Sequence, residues 1–359
     1  MPDRIEGHKS LYVQGRHRPL DPPSLPKTEE ETMAPTTWIG IDIAKQDFVA
    51  AQRSEAGFET ECFPMTQTGF EAFQRWLPQV SKLGIVFEAT GPYWLPLARW
   101  LDALEPAIPY ACVNPRRLRD FAKASPERSK TDAIDAALLV HFAETFPPTL
   151  EPPKSHRSRT LRALWRHHLE LQGLLDRARD RQEKALADPQ LPAQLATRLQ
   201  SLVDGLKAEL DQVELEAHEL VAQDPPMQQC YKLLVSIPGV GPKTALTLMA
   251  EYGPQLLLAN PKQLTSYAGL EPILFESGSS VRKRPRISKQ GNWRLRRALY
   301  MAALAGVRWN PVLKSFYERK LQQGLPKKSA LVAAMRKLLH LVYGVLLHQQ
   351  PFNPHYEKA

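Results

Sequence analysis

The sequence predicts an α/β domain with a central mixed sheet, a helical, coiled-coil-like middle and a mostly α-helical C-terminal domain. Three observations carry this. Short apolar runs alternate with helical patterns over residues 36–150, leucines recur in a polar stretch over 155–223, and helical periodicity surrounds a Gly-rich turn within 228–350.

The elements follow in order. Residues 1–35 are polar and Pro-rich, with an acidic TEEET run, and read as a disordered extension. TTWIGIDIAK and FVAAQR read as strand, turn, strand; QTGFEAFQRWLPQV has helical periodicity. LGIVFEAT is a buried strand ending at a carboxylate. GPYWLPLARWLDAL opens a helix, IPYACVN is a strand, PRRLRDFAKA is a basic helix and SKTDAIDAALLVHFAETF a final helix. Two polar helical stretches joined by ADPQLPAQ come next. In the second, Leu195, Leu199, Leu202, Leu206, Val213 and Leu220 recur mostly three, four or seven apart. Such a pair is either a hairpin packed on its own domain or a dimerisation arm. DPPM at 224–227 marks the next boundary. LLVSIPGVGPKTALTLMAEYG has the form helix, Gly-turn, helix; LEPILFESGSSVRKRPRISKQG is loop-rich; helices resume at Trp293.

The net charge of +9 favours a polyanionic partner, nucleic acid above all. No run of about 18 apolar residues is present, so no membrane span is expected, and the N-terminus has no apolar signal-peptide core. Cys62, Cys112 and Cys230 are odd in number and far apart, which argues against a disulfide framework and fits the cytoplasm. No CxxC pair or His-x3-His helix suggests zinc, and His167-His168 reads as solvated surface in a basic helix.

Four acids stand where a metal site can use them. Asp42 lies on the first strand and Glu88 ends another. Asp132 and Asp135 are three apart and share one face of a helix's first turn. Singly, each has a structural explanation, as a helix cap or a strand terminator. Together they form an oxygen-rich set of the kind that binds Mg2+ for phosphoryl transfer. The apolar flanks of Asp42 and Glu88 put both near burial, where an unpaired carboxylate is costly and a metal offsets the cost. WIGIDIAK, VFEATGPYW, VNPRRLRDFA and KTDAIDA, in this order, resemble the DEDD domain of the insertion-sequence transposase family associated with bridge-RNA-guided recombination. The resemblance implies a ribonuclease H-like fold, related to Holliday-junction resolvases, with Asp42, Glu88, Asp132 and Asp135 as metal ligands. A sugar-kinase or actin-type ATPase starts with a similar strand but needs Gly-rich phosphate loops, which this sequence lacks.

In the C-terminal part, IPGVGPKTA has the form of a helix-hairpin-helix turn. Gly239 and Gly241 would let the backbone approach a phosphate, with Lys243 and the helix N-terminus beside it; the alternative is a plain tight turn. From Val281 to Tyr300 there are eight Lys or Arg and no acid: Arg282, Lys283, Arg284, Arg286, Lys289, Arg294, Arg296 and Arg297. Such one-sided charge is the footprint of phosphate contacts. Ser277, Ser279 and Ser280 stand at the mouth of this stretch and are equivalent on chemistry alone. SIPGVGPKTA, YAGLEP, ESGSSVR, SKQGN and LRRALYMAA resemble the C-terminal transposase domain of the same family, and the two resemblances cover about 37 to 350. This second resemblance selects Ser277 as the nucleophile. It also implies a structured RNA partner pairing with donor and target DNA, and homodimers that pair into tetramers. The expected activity is DNA strand cleavage and rejoining. The alternatives are a junction-resolving nuclease that uses water, or a non-catalytic nucleic-acid-binding protein.

Overall fold

The structure, a computed structural model, describes residues 37–89, 91–123, 131–151, 154–253, 256, 260–277 and 281–355, without the side chains of 274–285. The extension expected over 1–35 lies outside the described residues. Five strands form one mixed sheet in the order β3-β2-β1-β4-β5. β1 (Thr37–Ile43), β2 (Asp47–Ser54) and β3 (Gly57–Pro64) are an antiparallel meander joined by tight turns. β4 (Leu83–Glu88) and β5 (Tyr110–Val113) run parallel to β1, so helices must carry the chain back between them. These are α1 (Gln67–Trp76) and α2 (Leu95–Ala103); α3 (Pro115–Ala122) and α4 (Asp132–Thr145) follow.

Strand alternation sorts the sheet's two faces. Ile39, Ile41, Phe48, Ile85 and Phe87 pack against Phe70 and Phe73 of α1 and Leu97 and Leu101 of α2. Trp38, Ala51, Val86 and Val113 pack instead against Ala136, Leu139 and Val140 of α4. Both faces are therefore covered. β3 was not foreseen: GFETECFP buries only Phe63, and its charged, exposed positions are those of an edge strand, which read like a loop.

α5 (His156–Leu186) and α6 (Ala193–Ala222) form a long helical hairpin. Its outer part has its own core of Leu171, Leu175, Ala178, Val203, Leu210 and Val213. The facing stripe of α6 is Leu199, Val203, Leu210, Val213, Ala217 and Val221. Leu195 and Leu202, expected in that stripe, are exposed instead, and Leu220 packs on the C-terminal core. The expected register was off because it joined leucines at the right spacing across two neighbouring faces. His168 also departs from expectation. It is buried and stacked 4.4 Å from Trp165, whose indole N–H donates to the Thr247 hydroxyl at 2.8 Å. Burial, then Lys243, pushes the His168 pKa down, so its ring is neutral.

The C-terminal part packs α7 (Pro225–Val235), α8 (Pro242–Tyr252), α9 (Pro261–Tyr267), α10 (Trp293–Trp309), α11 (Pro311–Gln322) and α12 (Lys327–His348) around one core, which also takes in Leu161 and Trp165 from the base of the arm. α12 is long and on average apolar enough to cross a membrane by length and composition, although Arg336 and Lys337 interrupt its apolar run. Leu331, Met335, Leu338, Leu339, Val342 and Leu346 explain its apolarity, because they line this core.

The segment expected to be loop-rich contains an antiparallel pair, β6 (Pro272–Ser277) and β7 (Val281–Ile287). VRKRPRI hides its strand character because it is basic, contains Pro and has no apolar alternation. The base of this hairpin is clasped. Ser288 N–H donates to Glu271 at 2.8 Å, Lys289 N–H to Gly269 at 3.1 Å and Asn292 N–H to Tyr267 at 2.8 Å, each at the carbonyl. Arg296 donates to the carbonyls of Ala268 and Gly291, both at 2.9 Å. Gly269 is left-handed (φ 65°), and a Cβ on Gly291 would lie 2.5 Å from the Tyr267 oxygen. The clasp rests on a buried carboxylate. Glu251 is fully buried, receives both forks of Arg166 at 2.9 and 2.8 Å, and accepts from the Asn292 amide at 2.6 Å.

Candidate acidic site and nucleic-acid interface

The alternation that buries Ile39 and Ile41 under α1 and α2 turns Trp38, Gly40 and Asp42 towards α4. The same holds on β4, where Ile85 and Phe87 face α2 and Val86 and Glu88 face α4. In the parallel ladder Ile41 pairs with Phe87, so the next position on each strand brings Asp42 beside Glu88 at the same sheet end. Gly40 sets how close α4 comes. A Cβ there would lie 2.1 Å from the Ala136 carbonyl oxygen and 2.8 Å from the Val140 nitrogen. The helix therefore lies directly on the β1 backbone, and its first turn, holding Asp132 and Asp135, overhangs Asp42. Thr131 starts that turn by accepting from the Ile134 N–H at 3.3 Å.

The electrostatics follow from this placement. The Asp42 carboxyl is pushed up to about 6 by burial and by the charges of Asp135, Asp132 and Glu88. Among the described residues no cation pairs with Asp42, Asp132 or Asp135. Nor, as the side chains stand, do three acidic, His or Cys groups come close enough together to hold a metal ion. The charges of Asp135, Asp132 and Glu88 all act on Asp42 in the same sense. The donor set is nonetheless hard oxygen throughout, which suits Mg2+.

Gly40, which the sequence did not single out, is directly testable. Gly40→Ala should lift α4 from β1 at a cost of roughly 1–3 kcal/mol, and the Asp42 carboxyl should fall back towards its ordinary range as the acids separate. Urea unfolding together with NMR titration of Asp42 measures both. A variant as stable as the parent, with Asp42 still near 6, would contradict this account.

The C-terminal candidates divide. Gly239 is left-handed (φ 102°), and a Cβ there would meet Gly306 of α10 at 2.7 Å, so this glycine serves helix packing. Gly241 is exposed, with open space around it, and begins α8 without a side-chain cap. Lys243 is exposed and pairs with Glu214 at 2.9 Å. Arg286 and Lys289 are exposed. Arg297 is exposed and stands 3.9 Å from Asp176. Arg294 is half-buried, 3.9 Å from Glu170 and from Glu251, and Arg296 is tied into the clasp. Ser277 ends β6, paired with Val281 across the hairpin. The side chains of Ser277, Arg282, Lys283 and Arg284 are outside the described residues, as are Ser279 and Ser280.

Comparison with known proteins agrees with both halves. The family model described as "Transposase IS116/IS110/IS902 family" matches residues 231–318, and an IS110-type DEDD model, described as a transposase, matches 39–189. The "Pilin gene-inverting protein" of Moraxella bovis is 32% identical over 322 residues, covering 88% of this chain and 98% of the relative. Its counterpart in Moraxella lacunata aligns to the same extent. The "Insertion element IS110 uncharacterized 43.6 kDa protein" of Streptomyces coelicolor is 29% identical over 151 residues, 41% of this chain and 37% of the relative. With both family models in register and near full-length likeness to a gene-inverting protein, the chain belongs to the IS116/IS110/IS902 family of transposases, enzymes that recombine DNA.

Proposed function

We propose that this protein cuts and rejoins DNA by forming a phosphoserine link at Ser277, with Asp42, Glu88, Asp132 and Asp135 as the ligands of Mg2+. The observation that carries the reading is that burial and the nearby charges of Asp135, Asp132 and Glu88 push the Asp42 carboxyl up to about 6. The order of the sheet supports a ribonuclease H-like domain over residues 36–150. Bound Mg2+ supplies Lewis-acid stabilisation of charge on the phosphate. The Ser277 hydroxyl oxygen forms the new bond to phosphorus, the bond to the leaving sugar oxygen breaks, and that oxygen takes up a proton. The ester keeps the bond energy, so attack by the sugar hydroxyl rejoins the strand without ATP. Arg282, Lys283, Arg284 and Arg286 offset charge on the phosphate in the transition state. A structured RNA encoded with the element pairs with donor and target DNA, and the net charge of +9 suits both polyanions. The arm over 155–223 dimerises the chain, and dimers pair into tetramers in which the acids and the serine come from different protomers. The names of the relatives, gene inversion and insertion elements alike, fit cutting followed by rejoining.

The test is a suicide DNA substrate, nicked near the cleavage point, followed by a denaturing gel and peptide mapping. The parent should yield DNA joined to the peptide containing Ser277. Ser277→Ala should yield none, whereas Ser279→Ala and Ser280→Ala should retain most of the adduct. A cut product with free ends would favour the water-using nuclease.

A further inference from the structure

α3 carries a cluster of charge that the reaction above does not use. Asn114 caps it by accepting from the Arg116 N–H at 2.9 Å, and Pro115 opens it, so the helix starts directly after β5. Val113, the last residue of β5, pairs with Glu88. The first turn of α3 therefore stands at the sheet end where Asp42 and Glu88 lie. Leu118 and Phe121 join the core that α4 forms with the sheet. Arg116, Arg119 and Lys123 are exposed, at steps of three and four. They fall within about 60° of one another, on the side of the helix away from Leu118 and Phe121.

This charge does not serve the helix. Arg116 and Arg117 occupy its first turn, which holds no acid, and there the helix dipole disfavours cations. Arg117 lies over the Phe142 ring, 5.6 Å from its centre. Among the described residues no acid pairs with Arg116 or Arg119, and Arg119 reaches the Pro115 carbonyl of its own helix at 3.4 Å. Asp120 shares this side and pairs with Lys123 at 3.4 Å. Both side chains are mostly exposed, so the pair is weak and easily exchanged for a phosphate.

The neighbouring acids point to the ligand. Carboxylates repel phosphates, so a DNA strand that approaches Asp42 and Glu88 needs cations beside them to hold it. From Arg116 to Lys123 the helix rises about 10 Å, and three cations over that length match about three phosphates of one duplex strand, at about 3.4 Å of axis each. Resting on the assignment of the four acids as the cutting site, we propose that Arg116, Arg119 and Lys123 grip the phosphates next to the one to be cut. They position the DNA strand and take no part in the bond changes.

The experiment uses the full-length protein in metal-free buffer, so that nothing is cut. A fluorescein-labelled DNA duplex and an RNA duplex of equal length are followed by anisotropy across a salt series. Arg116→Gln, Arg119→Gln and Lys123→Gln together should weaken DNA binding at least tenfold at low salt. They should also lower the slope of log affinity against log salt by about 2–3, at about 0.9 per phosphate contact. Arg116→Lys with Arg119→Lys should keep the slope. Removing as many charges from the exposed tip of the arm, with Arg181→Gln, Lys184→Gln and Arg198→Gln, should change DNA binding less than twofold. A photoreactive p-benzoylphenylalanine in place of Asp120 should crosslink to the DNA duplex on irradiation. Neither readout needs strand cutting, so both can succeed where Ser277 forms no adduct, and both can fail where it does. An equal loss for the arm-tip variant, a loss confined to the RNA duplex, an unchanged salt slope, or no crosslink to DNA would each overturn the proposal.

Discussion

Asp42→Asn is expected to abolish recombination and, in metal-free buffer, to make the protein more stable. The carboxyl sits near 6 in the folded chain against 3.8 for an unperturbed side chain. Between those values the folded form holds a proton that the unfolded chain has released. Stability therefore falls as the pH rises through this window and levels off above it. The whole difference is about 3 kcal/mol at most, and less after solvent screening of a half-buried group. Asparagine removes that penalty. Above pH 7 the variant should melt several degrees higher than the parent, at roughly 2–4 °C per kcal/mol, and the gap should close towards pH 4. Added Mg2+ should raise the melting temperature of the parent and leave the variant unmoved. Thermal scans across pH, with and without Mg2+, read all of this. Parent and variant melting together at neutral pH would show that the acids do not repel, and normal recombination by the variant would remove Asp42 from the site.

Glu251→Ala should cost about 3–5 kcal/mol, the usual penalty for breaking a buried ion pair from one side. Burial pushes this carboxyl up, but the Arg166 guanidinium, with Arg162 and Asn292, outweighs burial and holds it below the usual carboxylate range. Removing it strands Arg166 and the Asn292 amide, which between them tie α5, α8 and α10 together. The base of the β6–β7 hairpin loosens with them, so recombination should fall even where most chains remain folded. Urea unfolding of the full chain, with amide hydrogen exchange at Gly269 and Asn292, separates the two effects. Unchanged exchange at both amides would show that the carboxylate does not hold the clasp.

The acids were legible because each sits where local pattern changes: a strand ending in a charge, or a helix opening on Thr-Asp. How near Asp132 and Asp135 come to Asp42 was not legible, since it depends on Gly40 letting α4 rest on β1. Where local sequence and tertiary context disagreed, the reading slipped. β3 and β7 have the composition of loops, and only pairing makes them strands. The arm's leucines have heptad spacing on more than one face, and the partner helix decides which face is buried. Gly239 reads like a phosphate-binding glycine but is needed by Gly306, 67 positions away. His168 reads as surface because its neighbours are basic, yet Trp165 covers it. Each of these depends on a residue remote in sequence, and no local pattern encodes it.

The clasp between Tyr267 and Asn292 has a further consequence. Because both ends of the intervening segment are fixed by backbone hydrogen bonds at its foot, the segment hangs from the fold as an appendage. Beyond the β6–β7 pairing and the Ile287 contact with the core, added length enters the free energy of folding through loop closure, which grows with the logarithm of the number of residues. Insertions, deletions and charge changes beyond the foot are therefore close to neutral for folding.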